Sequence, residues 1–327
     1  MPVTPLATRP LGKSGIDVSA LGLGLWAVRG DQWGPVDDRA TLDTIDAALD
    51  AGVTFFDTAD VYGDGHSEEL LGQAMQGRRD RFIVASKIGW QGFDDERRIT
   101  AYDTVEKLIA GVESSLRRLR TDTLDVIQSH INFRDPTMEV FIEGFQRLQR
   151  EGKVRAYGVS TSDFAYLQAF NADGGCATLQ IDYSILNRTP ESEIFPYCQT
   201  HGIGVIVRGP LAMGLLTGKF NADTVFAEND FRRHWQTDPD QHAIFRHDLT
   251  VVERLRPLAS EARSLAQLAL QFVLAHPAVS TVIPGAKTPA QLRDNLGALT
   301  APELTPAEMI RINEIVPPGG GRKIWPA

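Results

Sequence analysis

Eight short apolar runs recur along the chain, each followed by a longer stretch with helical spacing, and this alternation limits the fold more than any single motif. The runs are Ala20–Leu25, Thr54–Thr58, Phe82–Ser86, Leu124–Gln128, Ala156–Ser160, Thr178–Asp182, Gly204–Val207 and Thr281–Pro284. Most are apolar throughout rather than at alternate positions, the pattern of parallel strands covered on both faces. Among the intervening segments, Arg39–Ala51 places Leu42, Ile45, Ala48 and Leu49 at helical spacing and stops at Gly52. Thr104–Leu119 gathers Val105, Leu108, Ile109, Val112, Leu116 and Leu119 on one stripe, and Glu139–Arg150, Phe164–Phe170, Ser192–His201, Ser264–Ala275 and Pro289–Leu299 behave similarly. An open, doubly wound sheet shows the same alternation, but eight strands are the count of a closed parallel barrel.

No Ser/Gly/Pro-rich linker or charge block divides the 327 residues. The expectation is therefore an α/β chain whose residues 1–327 form one (β/α)8 TIM barrel domain. Two pieces stand outside the alternation. Arg9–Leu11 and Ile16–Ser19, joined by Gly12-Lys13-Ser14-Gly15, read as an N-terminal β-hairpin. Phe220–Phe245 is polar and weakly periodic, and reads as a long functional loop after the seventh strand.

A net charge of −9 argues against nucleic acid or an anionic membrane as partner. There is no signal-peptide core and no run of about 18 apolar residues, so a soluble cytoplasmic protein is expected. Cys176 and Cys198 have no metal-ligand spacing; no bound metal is expected, and two free thiols suit a reducing compartment.

One motif misleads. Gly22-Leu23-Gly24-Leu25-Trp26-Ala27 fits the glycine fingerprint of dinucleotide-binding turns, but that fingerprint must follow a strand and open a helix. Here the glycines lie in the strand, and Val28–Pro35, with Gly30, Gly34 and Pro35, cannot open a helix.

The informative constellation is spread over strand ends. Asp57 closes the second strand and Tyr62 follows one turn later; Lys87 closes the third strand and His130 the fourth. Polar residues at the C-terminal ends of neighbouring barrel strands face one mouth, where barrel enzymes build their sites. Singly, each has an ordinary alternative: a turn cap, a half-buried core tyrosine, a solvated lysine, a satisfied buried imidazole. Together they make an acid catalyst. A phenol is a poor proton donor near neutrality unless its anion is stabilised; an adjacent ammonium does that, and a carboxylate holds the ammonium in place. An imidazole can hydrogen-bond a carbonyl oxygen where negative charge develops.

Over nearly its whole length the chain resembles the aldo-keto reductase superfamily. The resemblance is carried by Gly52-Val53-Thr54-Phe55-Phe56-Asp57-Thr58-Ala59-Asp60-Val61-Tyr62-Gly63, Glu68-Glu69-Leu70-Leu71-Gly72, Ser86-Lys87, Gly158-Val159-Ser160, Gln180-Ile181-Asp182-Tyr183-Ser184, Gly214-Leu215-Leu216-Thr217-Gly218-Lys219 and Ile283-Pro284-Gly285. It implies NADPH-dependent reduction of an aldehyde or ketone by hydride transfer, with NADH possible as donor. Tyr62 would be the general acid, Lys87 its pKa-lowering partner, Asp57 the anchor of Lys87, and His130 the group that orients the carbonyl. Ser160 and Gln180 would hold the nicotinamide carboxamide. Thr161 stands where relatives commonly have asparagine, and Arg208 where many have an aromatic that stacks on the nicotinamide. Arg208 could stack there as a cation, or pair with an acid of the long loop. Gly285, Lys287, Thr288, Gln291 and Asn295, with Asp294 nearby, match the stretch that grips the adenosine and its 2′-phosphate; the other reading is a capped surface helix.

For the substrate, Trp26 and Trp90, then Trp33 and Phe93, are candidate aromatic walls for an apolar or aryl carbonyl compound, or loop packing. Two other activities fit the same resemblance. One is a cofactor-binding regulatory subunit like the β subunits of voltage-gated potassium channels; the other is a dehydrogenase that oxidises a sugar or polyol.

Overall fold

The computed structural model describes residues 6–29, 37–93, 99–130 and 138–324, with the side chains of residues 90–93 and 99–101 left outside the description. Eight parallel strands lie in chain order around one sheet: β1 (Leu23–Gly24), β2 (Phe55–Asp57), β3 (Ile83–Ile88), β4 (Leu124–His130), β5 (Val154–Ser160), β6 (Thr178–Asp182), β7 (Gly204–Arg208) and β8 (Val279–Val282). The two edges meet. Bridges pair Leu21 with Val282 and Gly24 with Gly285, and the Gly22 N–H donates to the Val282 carbonyl at 2.8 Å. Sequential order plus closure excludes the doubly wound sheet and gives the (β/α)8 barrel.

Around it run α1 (Asp38–Asp50), α2 (His66–Met75), α3 (Val105–Leu119), α4 (Met138–Arg150), α5 (Phe164–Phe170), α6 (Ile194–His201), α7 (His234–Thr237), α8 (Pro239–Leu255), α9 (Leu265–Ala275), α10 (Pro289–Gly297) and α11 (Pro306–Ile315). α3 shows how sequence makes these elements. Thr104 caps its first turn by accepting the Lys107 N–H, Leu108, Ile109, Val112, Leu116 and Leu119 are buried against the strands, and Arg120 ends it in the left-handed region. None of the described helices is long and apolar enough to cross a membrane.

The N-terminal hairpin pairs Thr8–Pro10 with Asp17–Ser19. Its Leu11, Ile16 and Val18 pack with Phe55, Ala85, Val126, Ala156, Ile206 and Ile283 in a core of their own. The Lys13 N–H donates to the carbonyl of Gly202, just before β7, so the hairpin plugs the end where strands enter. The mouth at the strands' C-terminal ends is left for polar groups.

The structure departs from the expectations in places. The eighth strand sits two residues earlier than Thr281–Pro284, because Pro284 has no N–H to offer the ladder. The long connection after β7 is present, but Phe220–Phe245 is not irregular throughout. Asp238 accepts hydrogen bonds from the Asp240 and Gln241 N–H groups, Pro239 takes the first helical position, and α8 begins there. Its apolar stripe, Phe245, Leu249, Val252 and Leu255, lies mostly beyond the segment, so the periodicity was invisible inside it. α2 was also not anticipated: its inner face buries Ser67, Glu68 and Gly72 among apolar residues, which blurs an amphipathic pattern. A further antiparallel pair, Trp90–Phe93 with Ile99–Ala101, extends beyond β3.

Candidate active site

Asp57 and His130 are the last residues of β2 and β4, and Lys87 is the last but one of β3. Lys87 lies two residues beyond Ala85, the β3 residue registered with Asp57, so its side chain reaches back towards the carboxylate. The ammonium is fully buried and all three of its protons are used: Nζ donates to Asp57 Oδ2 at 2.7 Å, to the Thr58 carbonyl at 2.7 Å and to Tyr62 Oη at 3.2 Å. Tyr62 is carried by a turn stapled to β3. The Thr58 N–H donates to the Ala85 carbonyl and the Asp60 N–H to that of Lys87, while the Tyr62 carbonyl accepts from Ser67 N–H at the start of α2. The His130 ring stands edge-on to the Tyr62 ring, centroids 6.0 Å apart. Gly89 makes room for this, since a Cβ there would lie 2.1 Å from the His130 carbonyl oxygen.

Electrostatically the group is one unit. Burial opposes charge on Lys87, but the Asp57 carboxylate and the Tyr62 oxygen outweigh it and raise its pKa. Burial pushes Tyr62 up from its ordinary value, with Lys87 and Arg208 pulling it down and Asp57 opposing them. In the free protein the phenol therefore keeps its proton, as an acid must, and Lys87 acts on the anion formed once that proton leaves. Burial also pushes the Asp57 carboxyl up, against Lys87, Gln180 and Arg208. Both of its oxygens accept hydrogen bonds, from Lys87 and from Gln180 Nε2 at 2.7 Å, which is the setting of an anion.

Ser160 ends β5, registered between His130 and Gln180. Gln180 also donates to Gln128 Oε1 at 3.2 Å, so its amide protons point into the barrel and its carbonyl oxygen remains to accept. The Thr161 hydroxyl is occupied locally by the Asp163 N–H at 2.9 Å. Arg208 ends β7 near enough for its charge to act on both Asp57 and Tyr62.

The remaining candidates form a second group beyond β8. The Thr288 hydroxyl caps α10, Gln291 Oε1 accepts the Lys287 N–H at 2.8 Å, and Asn295 Nδ2 donates to the Gly285 carbonyl at 3.4 Å. Gln291 and Asn295 thus fix the backbone that displays Gly285, Lys287 and Thr288. Burial lowers the Lys287 pKa, and the cations Arg232 and Lys219 lower it further against Asp230. Three positive side chains and one carboxylate share this spot, an arrangement that favours an added anion.

Lys219, Asp230 and Arg232 were missed by the sequence reading, although the Gly214–Lys219 phrase and the polar long loop contain them. Arg232 bonds the Asp230 carboxylate through Nε at 2.8 Å and donates to the Met213 carbonyl at 3.1 Å. It thereby braces a turn in which Ala212 (φ 48°) and Met213 (φ 56°) are both left-handed, at a cost of roughly 1–2 kcal/mol per residue.

Trp26 lies in the one-turn helix after β1, its ring 6.0 Å from Phe231 of the long connection. Trp90 and Phe93 fall in the antiparallel pair beyond β3 with side chains outside the description, and Trp33 lies outside the described residues. The glycine fingerprint fails structurally as well. A Cβ on Gly22 would sit 2.8 Å from the Phe55 carbonyl oxygen and one on Gly24 2.8 Å from that of Ile283, so these glycines serve barrel closure. Cys176 and Cys198 are buried, which pushes each thiol up to about 12 and leaves it inert.

Known proteins carry the same framework. Aldo-keto reductase YhdN of Bacillus subtilis is 34% identical over 315 residues, covering 94% of this chain and 92% of that protein. The solved glycerol dehydrogenase AKR11B4 of Gluconobacter oxydans superposes with a TM-score of 0.79 at 32% identity, covering 94% of both chains. An aldo/keto reductase of Klebsiella pneumoniae, solved with NADP and acetate, gives 0.71 at 27% identity over 98% of this chain and 99% of its own. Residues 20–317, which hold every strand of the barrel and Asp57, Tyr62, Lys87 and His130, match the family profile as well, and the chain belongs to the aldo/keto reductase family.

Proposed function

We propose that the protein reduces an aldehyde or ketone to the alcohol with NADPH, Tyr62 acting as general acid. The observation that carries this reading is the Lys87 ammonium, held by Asp57 and Thr58 and 3.2 Å from the Tyr62 oxygen. When bound, the nicotinamide would supply the hydride taken up by the carbonyl carbon. Tyr62 gives its proton to the carbonyl oxygen, and the phenolate left behind meets an ammonium already in place, so no reorganisation is needed at the moment of charge transfer. His130 orients the carbonyl oxygen towards that proton, and Trp26 forms an apolar wall beside it.

The residues present suit the cofactor. Ser160 and the Gln180 carbonyl oxygen would hold the carboxamide. The cation cluster of Lys287, Arg232 and Lys219 matches the phosphates, with the backbone at Gly285 and Thr288 braced by Gln291 and Asn295. A soluble cytoplasmic setting fits the charge of −9 and two free thiols. The test is NADPH consumption with a panel of aldehydes, ketones and sugars; at least one should be reduced, and inertness towards all of them sinks the reading.

Lys287 is proposed to select the 2′-phosphate. Lys287→Glu should weaken NADPH by about 10-fold or more, of the order of one charge-assisted contact, and leave NADH nearly unchanged. Equal loss for both cofactors refutes the assignment.

Arg208 is proposed to disfavour the cationic oxidised nicotinamide relative to the reduced ring, speeding product release. Arg208→Tyr should then tighten NADP+ more than NADPH; a ratio of dissociation constants equal to that of the wild type disposes of the idea. The same ratio speaks to a second reading, favoured by the likeness to a glycerol dehydrogenase, in which the enzyme runs as a dehydrogenase that oxidises a sugar or polyol. Tighter binding of NADP+ than of NADPH by the wild type would favour that reading.

A further inference from the structure

Behind Lys87 lies a buried carboxyl that the chemistry above does not use. Asp60 stands two residues before Tyr62 on the same turn, is buried, and has an Oδ1 with no hydrogen-bond partner. Four charged or titratable groups face it, each from a different element. Glu68 comes from α2, Arg118 from α3, Lys87 from β3, and Tyr102, which hydrogen-bonds Asp60, from the segment before α3.

The two carboxyls are not equivalent. Glu68 is fully buried with both oxygens engaged, Oε1 accepting from Ser86 Oγ at 2.6 Å and Oε2 from Arg118 Nε at 2.7 Å. It has the partners of an anion, Arg118 of α3 among them. Lys87 is likewise committed, to Asp57, Thr58 and Tyr62. Asp60 is left with one buried oxygen undonated, where an ionised carboxylate is costly and a neutral acid far less so. Burial and the Glu68 charge hold it well above the ordinary carboxylate range.

We propose that Asp60 is a positioning residue that works in its protonated form: neutral, it braces the Tyr62 turn and leaves Lys87 undivided for the Tyr62 anion. Its ionisation as pH rises places a second anion near Lys87. That disfavours phenolate, makes Tyr62 a weaker acid and slows reduction. The inference rests on Tyr62 as general acid.

The test is the pH profile of kcat for carbonyl reduction in wild type, Asp60→Asn and Glu68→Gln. Asparagine keeps the shape and cannot ionise, so the alkaline fall should move up by about one pH unit or more. Glutamine at 68 removes the neighbouring anion and frees Arg118, so Asp60 ionises earlier and the fall should move down. A merely loosened turn lowers kcat at every pH and displaces neither limb. Should Glu68→Gln not fold, the infrared difference between wild type and Asp60→Asn at neutral pH decides: a protonated-carboxyl band is expected in the wild type. An alkaline limb shared by wild type and Asp60→Asn, or the absence of that band, overturns the proposal even with the Tyr62 reading intact. Full activity in Tyr62→Phe removes that reading itself, and this inference with it.

Discussion

Tyr62→Phe should lower kcat for carbonyl reduction by about 10³-fold, within the range that a positioned general acid contributes, while cofactor affinity stays at the wild-type value. The substitution removes one oxygen and almost no volume. Lys87 keeps its bonds to Asp57 and Thr58, so the buried pair survives and the stability loss should be about 1 kcal/mol, one hydrogen bond. The loss should be the same for every carbonyl accepted, because the proton is needed whatever the substituents. Kinetics and cofactor titration on one preparation separate the outcomes: a fall in kcat with an unchanged dissociation constant supports the acid role, and a fall in kcat with a raised dissociation constant points to a damaged mouth.

Lys87→Met should have the largest effect on stability. Asp57 and Lys87 are both buried, and removing the cation takes the ammonium donor from a carboxylate that keeps its bond from Gln180. Breaking a buried pair from one side costs about 3–5 kcal/mol. The sign of its pH dependence follows. In the variant Asp57 takes up a proton more readily folded than unfolded, so stability is retained below the unfolded pKa and lost as pH rises through the folded one. The deficit against wild type should therefore narrow on acidification. Urea denaturation at two pH values measures it; a deficit under about 1 kcal/mol at neutral pH contradicts the ion-pair account. Activity should fall as well, since the Tyr62 anion then has no ammonium to meet.

The candidate group was legible because its members stand at or near strand ends, and strand ends follow from apolar runs that stop. Asp57 after Phe55-Phe56 and His130 after Ile127-Gln128-Ser129 are placed at one mouth by strand order alone. What could not be read is what a side chain meets far along the chain. Asp60 and Glu68 looked like parts of a family phrase; that Glu68 takes Ser86 and Arg118, leaving Asp60 without a donor, depends on packing between α2, α3 and β3. Lys219, Asp230 and Arg232 were hidden because a polar connection has no periodicity to say which residues turn inward. The start of α8 was encoded after all, in Asp238-Pro239, a cap followed by a residue suited to the first turn. It is hard to read because the stripe that makes a helix legible lies beyond it.

The central claim is that Tyr62, Lys87, Asp57 and His130 assist hydride delivery to a carbonyl carbon. It is tested most directly with NADPH deuterated at the nicotinamide position that gives up hydride, one accepted aldehyde, and mass analysis of the alcohol. The account predicts one deuterium on the former carbonyl carbon with the wild type and almost none in the same time with Tyr62→Phe. Alcohol formed without deuterium, from either labelled face of the cofactor, would contradict it.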